Sequence, residues 1–259
     1  MTRQQLVHSI LGVACTVLTA CGDSTAPGST QPLSLDAALA EVNSAQTYST
    51  AGLAAGGMVL PIPINFLAPP SNCPFNASTN SFVCPGRSVG GLTSTIWFQL
   101  FDDSNQPLTE FNPNTVAAIR MVIDMSGTLA ANSSSTSLTT TLARHSDQTL
   151  SGLRTDRHTL NGTGTTNITT TIGSQTVSGT GSDKTTDVVL PPPGSATHWP
   201  LSGSISMDLS SGMGGTAFSS SFTMTFNGTS KVMITMTFGG TTRTCTLDLS
   251  APATPGGCF

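Results

Sequence analysis

The chain has 259 residues, of which only 8% are charged, and its formal net charge is −4. It contains no cluster of Lys or Arg, so the electrostatic signature of a nucleic-acid-binding protein is missing and we expect no nucleic-acid partner. Hydroxyl side chains replace the charges, with 42 Thr and 33 Ser beside 26 Gly. Thr is a β-branched residue that favours strands, whereas Ser and Gly favour turns. The composition therefore predicts an all-β protein.

The first twenty residues have the features of an export signal. Arg3 provides a short positive start, and an apolar stretch of about thirteen residues runs from Leu6 to Leu18. This stretch is too short to cross a bilayer, which takes about 20 apolar residues, but it fits the hydrophobic region of a signal peptide. We therefore expect residues 1–20 to be a signal peptide.

The apolar stretch ends in Leu18-Thr19-Ala20-Cys21. These four residues resemble the lipobox of bacterial lipoproteins, whereas the chain after Cys21 resembles no characterised family. The resemblance implies cleavage before Cys21, a diacylglycerol (palmitate-type) anchor on its sulfur and an acyl group on the new N-terminus. Two or more acyl chains hold a protein stably on a membrane, where one holds it only marginally. The alternative is an ordinary secretory signal that leaves Cys21 as a thiol.

The location implied by the lipobox is the cell envelope. Gly22, rather than Asp, follows the cysteine, and this resembles the outer-membrane sorting of enterobacterial lipoproteins. We therefore expect a lipid-anchored protein of the outer membrane, on its periplasmic or surface face.

A tether and a helix follow the cysteine. Residues 21–33 are polar, contain Pro and Gly and have no periodicity, so we expect a flexible tether. After Ser34, a favourable N-cap, apolar residues recur at helical spacing and predict a short helix over 35–45 that packs on the main body. Residues 34–259 are expected to form a single β-rich domain. The apolar positions of the helix are Leu35, Ala38, Leu39 and Val42.

From Leu92 onward the apolar period changes to two, which predicts antiparallel strands with one apolar face and one hydroxyl-rich face. The last three strands form a meander whose turns are Asn227-Gly228 and Gly239-Gly240, pairs that favour hairpins. We expect about ten strands in either a sandwich or an open, curved half-barrel. The alternating apolar positions of the meander are Phe218, Phe222, Met224, Phe226, Val232, Ile234, Met236, Phe238, Cys245, Leu247 and Leu249.

Four cysteines remain when Cys15 leaves with the signal and Cys21 is lipidated. An even number in an exported chain predicts disulfides, and proximity in sequence favours Cys73–Cys84 and Cys245–Cys258. A zinc site is the alternative, but the short spacing of zinc-binding cysteine pairs does not occur here.

One candidate metal site involves a nearly palindromic stretch, Arg144-His145-Ser146-Asp147 to Asp156-Arg157-His158. If Ser151-Gly152 is a hairpin turn, His145 faces His158 and Asp147 faces Asp156, within reach of one divalent metal. The alternative is an exposed polar hairpin that keeps a sheet edge soluble, and a turn at Thr155-Asp156 would break the pairing.

The sequence thus favours an envelope lipoprotein whose β domain binds an envelope component or serves structurally. It contains no Gly-x-Ser-x-Gly elbow and no phosphate-binding loop, so we expect no enzyme and no cofactor. The first alternative is a carrier of lipid or another hydrophobic ligand, with the 35–45 helix as a lid over an apolar sheet face. The second is a metal-dependent enzyme using His145, Asp147, Asp156 and His158.

Overall fold

A computed structural model describes residues 34–44, 72–132, 137–192, 195, 199–213 and 216–250. The signal peptide, the lipidated Cys21 and the tether up to residue 33 lie outside the described residues, as does Cys258.

The described chain consists of one helix and thirteen strands. The helix, α1, covers 35–44. The strands are β1 Phe75–Asn76, β2 Ser81–Val83, β3 Arg87–Val89, β4 Leu92–Phe101, β5 Pro107–Leu108, β6 Ala118–Asn132, β7 Ser137–Ser151, β8 His158–Ile172, β9 Gln175–Leu190, β10 Ser202–Met213, β11 Thr216–Thr225, β12 Lys231–Phe238 and β13 Thr241–Asp248.

All thirteen strands belong to one antiparallel sheet. Its order is β1-β2-β4-β6-β7-β8-β9-β10-β11-β12-β13, with β3 and β5 also paired to β4. From β6 to β13 each strand pairs with the next in sequence, and the sheet stays open without closing into a barrel. The all-β prediction with a short N-terminal helix is thus confirmed, and the open sheet is the form adopted. The thirteen strands include four of only two or three residues, which have too little periodicity to be found from sequence.

The sheet has two chemically different faces because its long strands alternate apolar and polar residues. On β4 the buried side chains are those of even-numbered positions, such as Leu92, Ile96 and Phe98. We call the face that carries them the inner face and the opposite one the outer face. One row of the inner face, read across neighbouring strands from β4 to β12, is Ile96, Ile123, Ser146, Gly164, Asp183, Met207, Phe222 and Met236.

Helix α1 packs with the inner-face core through Ala38, Leu39 and Val42, which are almost fully buried. Its first turn is capped as expected, because Ser34 Oγ accepts a hydrogen bond from the backbone N–H of Ala37 at 3.2 Å. The predicted helix is therefore confirmed over 35–44. It places polar residues of its last turns beside the sheet, and one of them forms part of the sites described next.

Candidate functional site

The predicted metal ligands do not come together. Strands β7 and β8 end and begin at Ser151 and His158, so the residues between them form a loop rather than a two-residue turn. In the resulting register His145 lies opposite Thr165. The expected facing of His145 with His158 is therefore wrong.

The same register separates the remaining pair of the predicted site. Asp147 lies opposite Thr163, and Asp156 lies exposed in the loop. His158 is buried on the inner face, whereas His145 is exposed on the outer face. In the part of the chain that the structure describes, no group of three or more His, Cys, Asp and Glu side chains is placed to hold a metal ion.

Two of these side chains belong to an outer-face cluster with residues of β6. His145 Nδ1 lies 2.7 Å from Asp124 Oδ1, and both side chains are about half exposed. Arg120 donates two hydrogen bonds to Asp147, from Nε at 2.9 Å and from Nη2 at 2.6 Å. The hydrogen bond from Arg120 to Asp147 raises the pKa of the guanidinium above its ordinary value. The partners were missed by sequence reasoning because they lie more than twenty residues away, on the strand before β7.

The same guanidinium also covers an aromatic ring. The Arg120 guanidinium carbon lies 5.4 Å from the centre of the Trp97 ring, a distance suited to a cation–π contact. Val122 lies between Trp97 and Asp147 in the strand register and is buried although it is on the outer face. This side of the sheet therefore has a small packed cluster of its own.

A second polar cluster crosses the middle of the inner face and is deeply buried. Arg144 Nη2 on β7 lies 2.9 Å from Asp183 Oδ1 on β9, and only 5% and 3% of the two side chains are exposed. Arg144 Nη1 also donates a hydrogen bond to Thr166 Oγ1 on β8, at 2.7 Å. Arg144, Asp183 and Thr166 thus connect the three central strands.

Glycines on β8 make room for this cluster. A Cβ atom at Gly164 would stand 2.5 Å from Asp183 Oδ1, and one at Gly162 would stand 2.4 Å from Gln148 Oε1. The bare backbone of β8 therefore accommodates the larger polar side chains of its two neighbours. Both amide atoms of Gln148, and Thr185 Oγ1 in the same row, are buried and have no hydrogen-bond partner among the described residues.

A third contact joins α1 to the sheet. His158 Nδ1 lies 2.5 Å from Glu41 Oε2; the histidine is 2% exposed and the glutamate 22%. Because Glu41 shares the helix with the buried Leu39 and Val42, this pair fixes the end of α1 over the start of β8. His158 thus holds the helix in place rather than binding a metal with His145.

The cysteine prediction is confirmed for the first pair. Cys73 and Cys84 form a disulfide with an S–S distance of 2.07 Å. Cys245 is also disulfide-bonded, but its expected partner Cys258 lies outside the described residues. The Cys245–Cys258 pairing therefore stays a prediction.

Two open depressions mark the surface of the described residues. One of about 640 Å³ lies across β9 to β12 and is lined mainly by Ser and Thr, with Asp208 as its one charged group. The other, of about 490 Å³, contains Asp102, Asp103, Glu110 and Arg154. Asp102 Oδ1 accepts hydrogen bonds from the backbone N–H groups of Ser104 and Gln106, and Asp103 pairs with Arg154, so these carboxylates stabilise a turn.

No family model, curated protein or solved structure matches this chain. Among the described residues no helix has the length and apolar character needed to cross a membrane.

Proposed function

We propose that this protein is a cell-envelope lipoprotein, anchored through Cys21, whose β domain has a non-catalytic binding or structural role. The observation that carries the proposal is the sequence LTAC directly after a signal-like apolar stretch. The anchor places the protein in the outer membrane, and the tether of residues 21–33 joins it to α1.

The non-catalytic part of the proposal is supported by the way the polar side chains are used. The two described histidines each meet a carboxylate, but they lie on opposite faces of the sheet. The buried Arg144 and Asp183 neutralise each other inside the core. These arrangements hold strands and helix together, and none combines a nucleophile, a base and an open cleft, as a hydrolase requires.

The anchor is tested by labelling cells with a palmitate analogue and isolating the protein. We expect the label on the wild-type chain and on Cys15→Ala, because Cys15 lies within the signal, and its loss from Cys21→Ala. Mass spectrometry of the mature chain should place its N-terminus at an acylated Cys21, and density fractionation should recover it with the outer membrane. A label that persists on Cys21→Ala would refute the anchor.

A carrier of a hydrophobic ligand is the second candidate. It is supported by five methionines on the inner face, whose flexible side chains adapt to varied apolar shapes. Lipid extraction of the gently purified protein followed by mass spectrometry tests it. A stoichiometric, defined lipid supports the carrier, whereas protein free of lipid that also fails to bind a fluorescent fatty acid rules it out. The five residues are Met121, Met125, Met207, Met224 and Met236.

A further inference from the structure

Two phenylalanines are exposed near the β13 edge of the sheet. Phe238 at the end of β12 is 57% exposed, and Phe218 near the start of β11 is 41% exposed. Phe238 lies opposite Ser220 and Phe218 is two positions before Ser220, so the two rings occupy diagonal positions on the same face. Exposed aromatic side chains grouped in this way mark a contact surface more often than single ones do.

The hairpin that carries Phe238 ends in an uncrowded turn. Its turn, Gly239-Gly240, has φ angles of 55° and 80°, and a Cβ atom added at either glycine would contact no atom of the described residues within 4 Å. A tight two-residue hairpin turn requires positive φ at both central residues, and glycine adopts it without strain. Phe238, the last residue of β12, thus lies directly before an open turn.

A cation lies near the two rings. Strands β11 to β13 carry three charged residues; Lys231 is at the other end of β12 from Phe238 and faces Asp248, which leaves Arg243 as the charge on the side of the rings. Arg243 lies on β13 opposite Met236 and is exposed, on the same face as Phe238. In the described part of the chain it forms no salt bridge. A cation beside exposed aromatic rings complements phosphate headgroups above an apolar layer.

We propose that this part of the β11–β13 edge, which we call the phenylalanine tip and define as Phe218, Phe238 and Arg243, inserts into the headgroup region of the phospholipid leaflet. The inference rests on the proposed lipid anchor, which keeps the domain beside that leaflet. The thirteen-residue tether of residues 21–33 reaches at most about 45 Å when extended. The domain can therefore lie on the membrane, with the two rings among the upper acyl chains and Arg243 at the phosphates.

The first test measures the depth of the tip. Lipidated Phe238→Trp protein is reconstituted into vesicles of phosphatidylethanolamine and phosphatidylglycerol that contain acyl-brominated lipid. We expect the emission added by the new tryptophan to be quenched by about half or more, because bromine quenches on contact. The matched control is Met233→Trp, since Met233 is also exposed and on β12 but lies on the outer face. Equal quenching of the two variants would overturn the proposal.

The second test separates the tip from the anchor. Unlipidated protein from Cys21→Ala cells is mixed with the same vesicles and sedimented. The pair Phe218→Ser with Phe238→Ser should lower the bound fraction about tenfold, whereas Met233→Ser and the distant Val89→Ser should leave it unchanged. Arg243→Gln should weaken binding only when phosphatidylglycerol is present. Because the protein in this measurement is unlipidated, it tests the phenylalanine tip even if palmitate labelling refutes the anchor. If the bound fraction does not change when both phenylalanines are replaced, the proposal for the phenylalanine tip is overturned.

Discussion

Buried charge is the main departure of individual residues from the simple alternation of this sheet. Arg144, Ser146 and Gln148 occupy inner-face positions of β7 that alternation assigns to apolar side chains. They are tolerated because Asp183 neutralises the arginine and because Gly162 and Gly164 leave space above β8. A buried charge without its partner would carry a desolvation cost that a packed core does not offset.

Replacing Arg144 with Ala should therefore be strongly destabilising. We expect a loss of about 3–5 kcal/mol in the free energy of unfolding, because Asp183 would be left buried and unpaired. Urea denaturation followed by circular dichroism measures it. Arg120→Ala is the matched control: its ion pair is 41% exposed on the arginine side, so we expect a loss of no more than about 2 kcal/mol from the ion pair and the cation–π contact with Trp97 together.

The paired change Arg144→Met with Asp183→Leu tests the reason. It removes both charges, so it should cost clearly less than Arg144→Ala alone. If the single and paired variants unfold at the same urea concentration, the stability of this region does not depend on charge pairing.

The small hairpin β1–β2 shows how short elements are held. Strand β1 has two residues and β2 has three. They would not be stable as a separate hairpin, since an isolated two-stranded hairpin is only marginally stable in water. Here the Phe82 ring stacks on Phe98 at a centroid distance of 4.9 Å and meets Phe75 at 5.2 Å. The Cys73–Cys84 disulfide closes the ends of the same segment. The disulfide and the aromatic contacts therefore stabilise strands that are too short to be stable through backbone hydrogen bonds alone.

Removing this disulfide should loosen the hairpin specifically. For Cys73→Ser with Cys84→Ser we expect a loss of about 3 kcal/mol in the free energy of unfolding, because a loop of this length then regains its entropy in the unfolded chain. Hydrogen exchange should accelerate over residues 73–84 and stay unchanged over β7 and β8. If exchange in the hairpin is unchanged, the contacts between the phenylalanine rings are enough to hold β1 and β2 in place without the disulfide.

Because the sheet is open, its strands differ in how well hydrogen bonds to neighbouring strands protect them from local opening. Strands β6 to β9 are each 15 or 16 residues long and are bonded on both sides. At one edge of the sheet formed by the described residues, β13 is paired with β12 alone. At the other edge, β1 has only two residues. Local opening costs less where fewer hydrogen bonds must break.

Amide hydrogen exchange of the intact protein should follow this order. We expect the slowest exchange at the centre of β7 and β8, intermediate rates in β11, and the fastest rates in β13 and β1. Mass spectrometry of peptic fragments gives the comparison within one sample. If the amides of β13 exchange as slowly as those of β7, another segment of protein covers that edge of the sheet.

Several features of the fold were predicted from the local residue pattern alone. Thr-rich alternation predicted the strand faces, the spacing of Leu35, Ala38, Leu39 and Val42 predicted α1, and paired glycines predicted the β12–β13 turn. These are local properties, since side-chain period and backbone preference act over a few residues. The proximity of Cys73 and Cys84 likewise favoured a pairing that the structure contains.

The partners of the polar side chains were decided by long-range pairing. The loop between β7 and β8 is longer than a two-residue turn, and this shifts every cross-strand neighbour, so the metal site expected from the palindrome does not form. Glu41 reaches His158 across 117 positions of sequence, and Asp183 reaches Arg144 across a strand that lies between them. Such contacts depend on register and on the packing of a helix over a sheet, which local residue patterns do not encode.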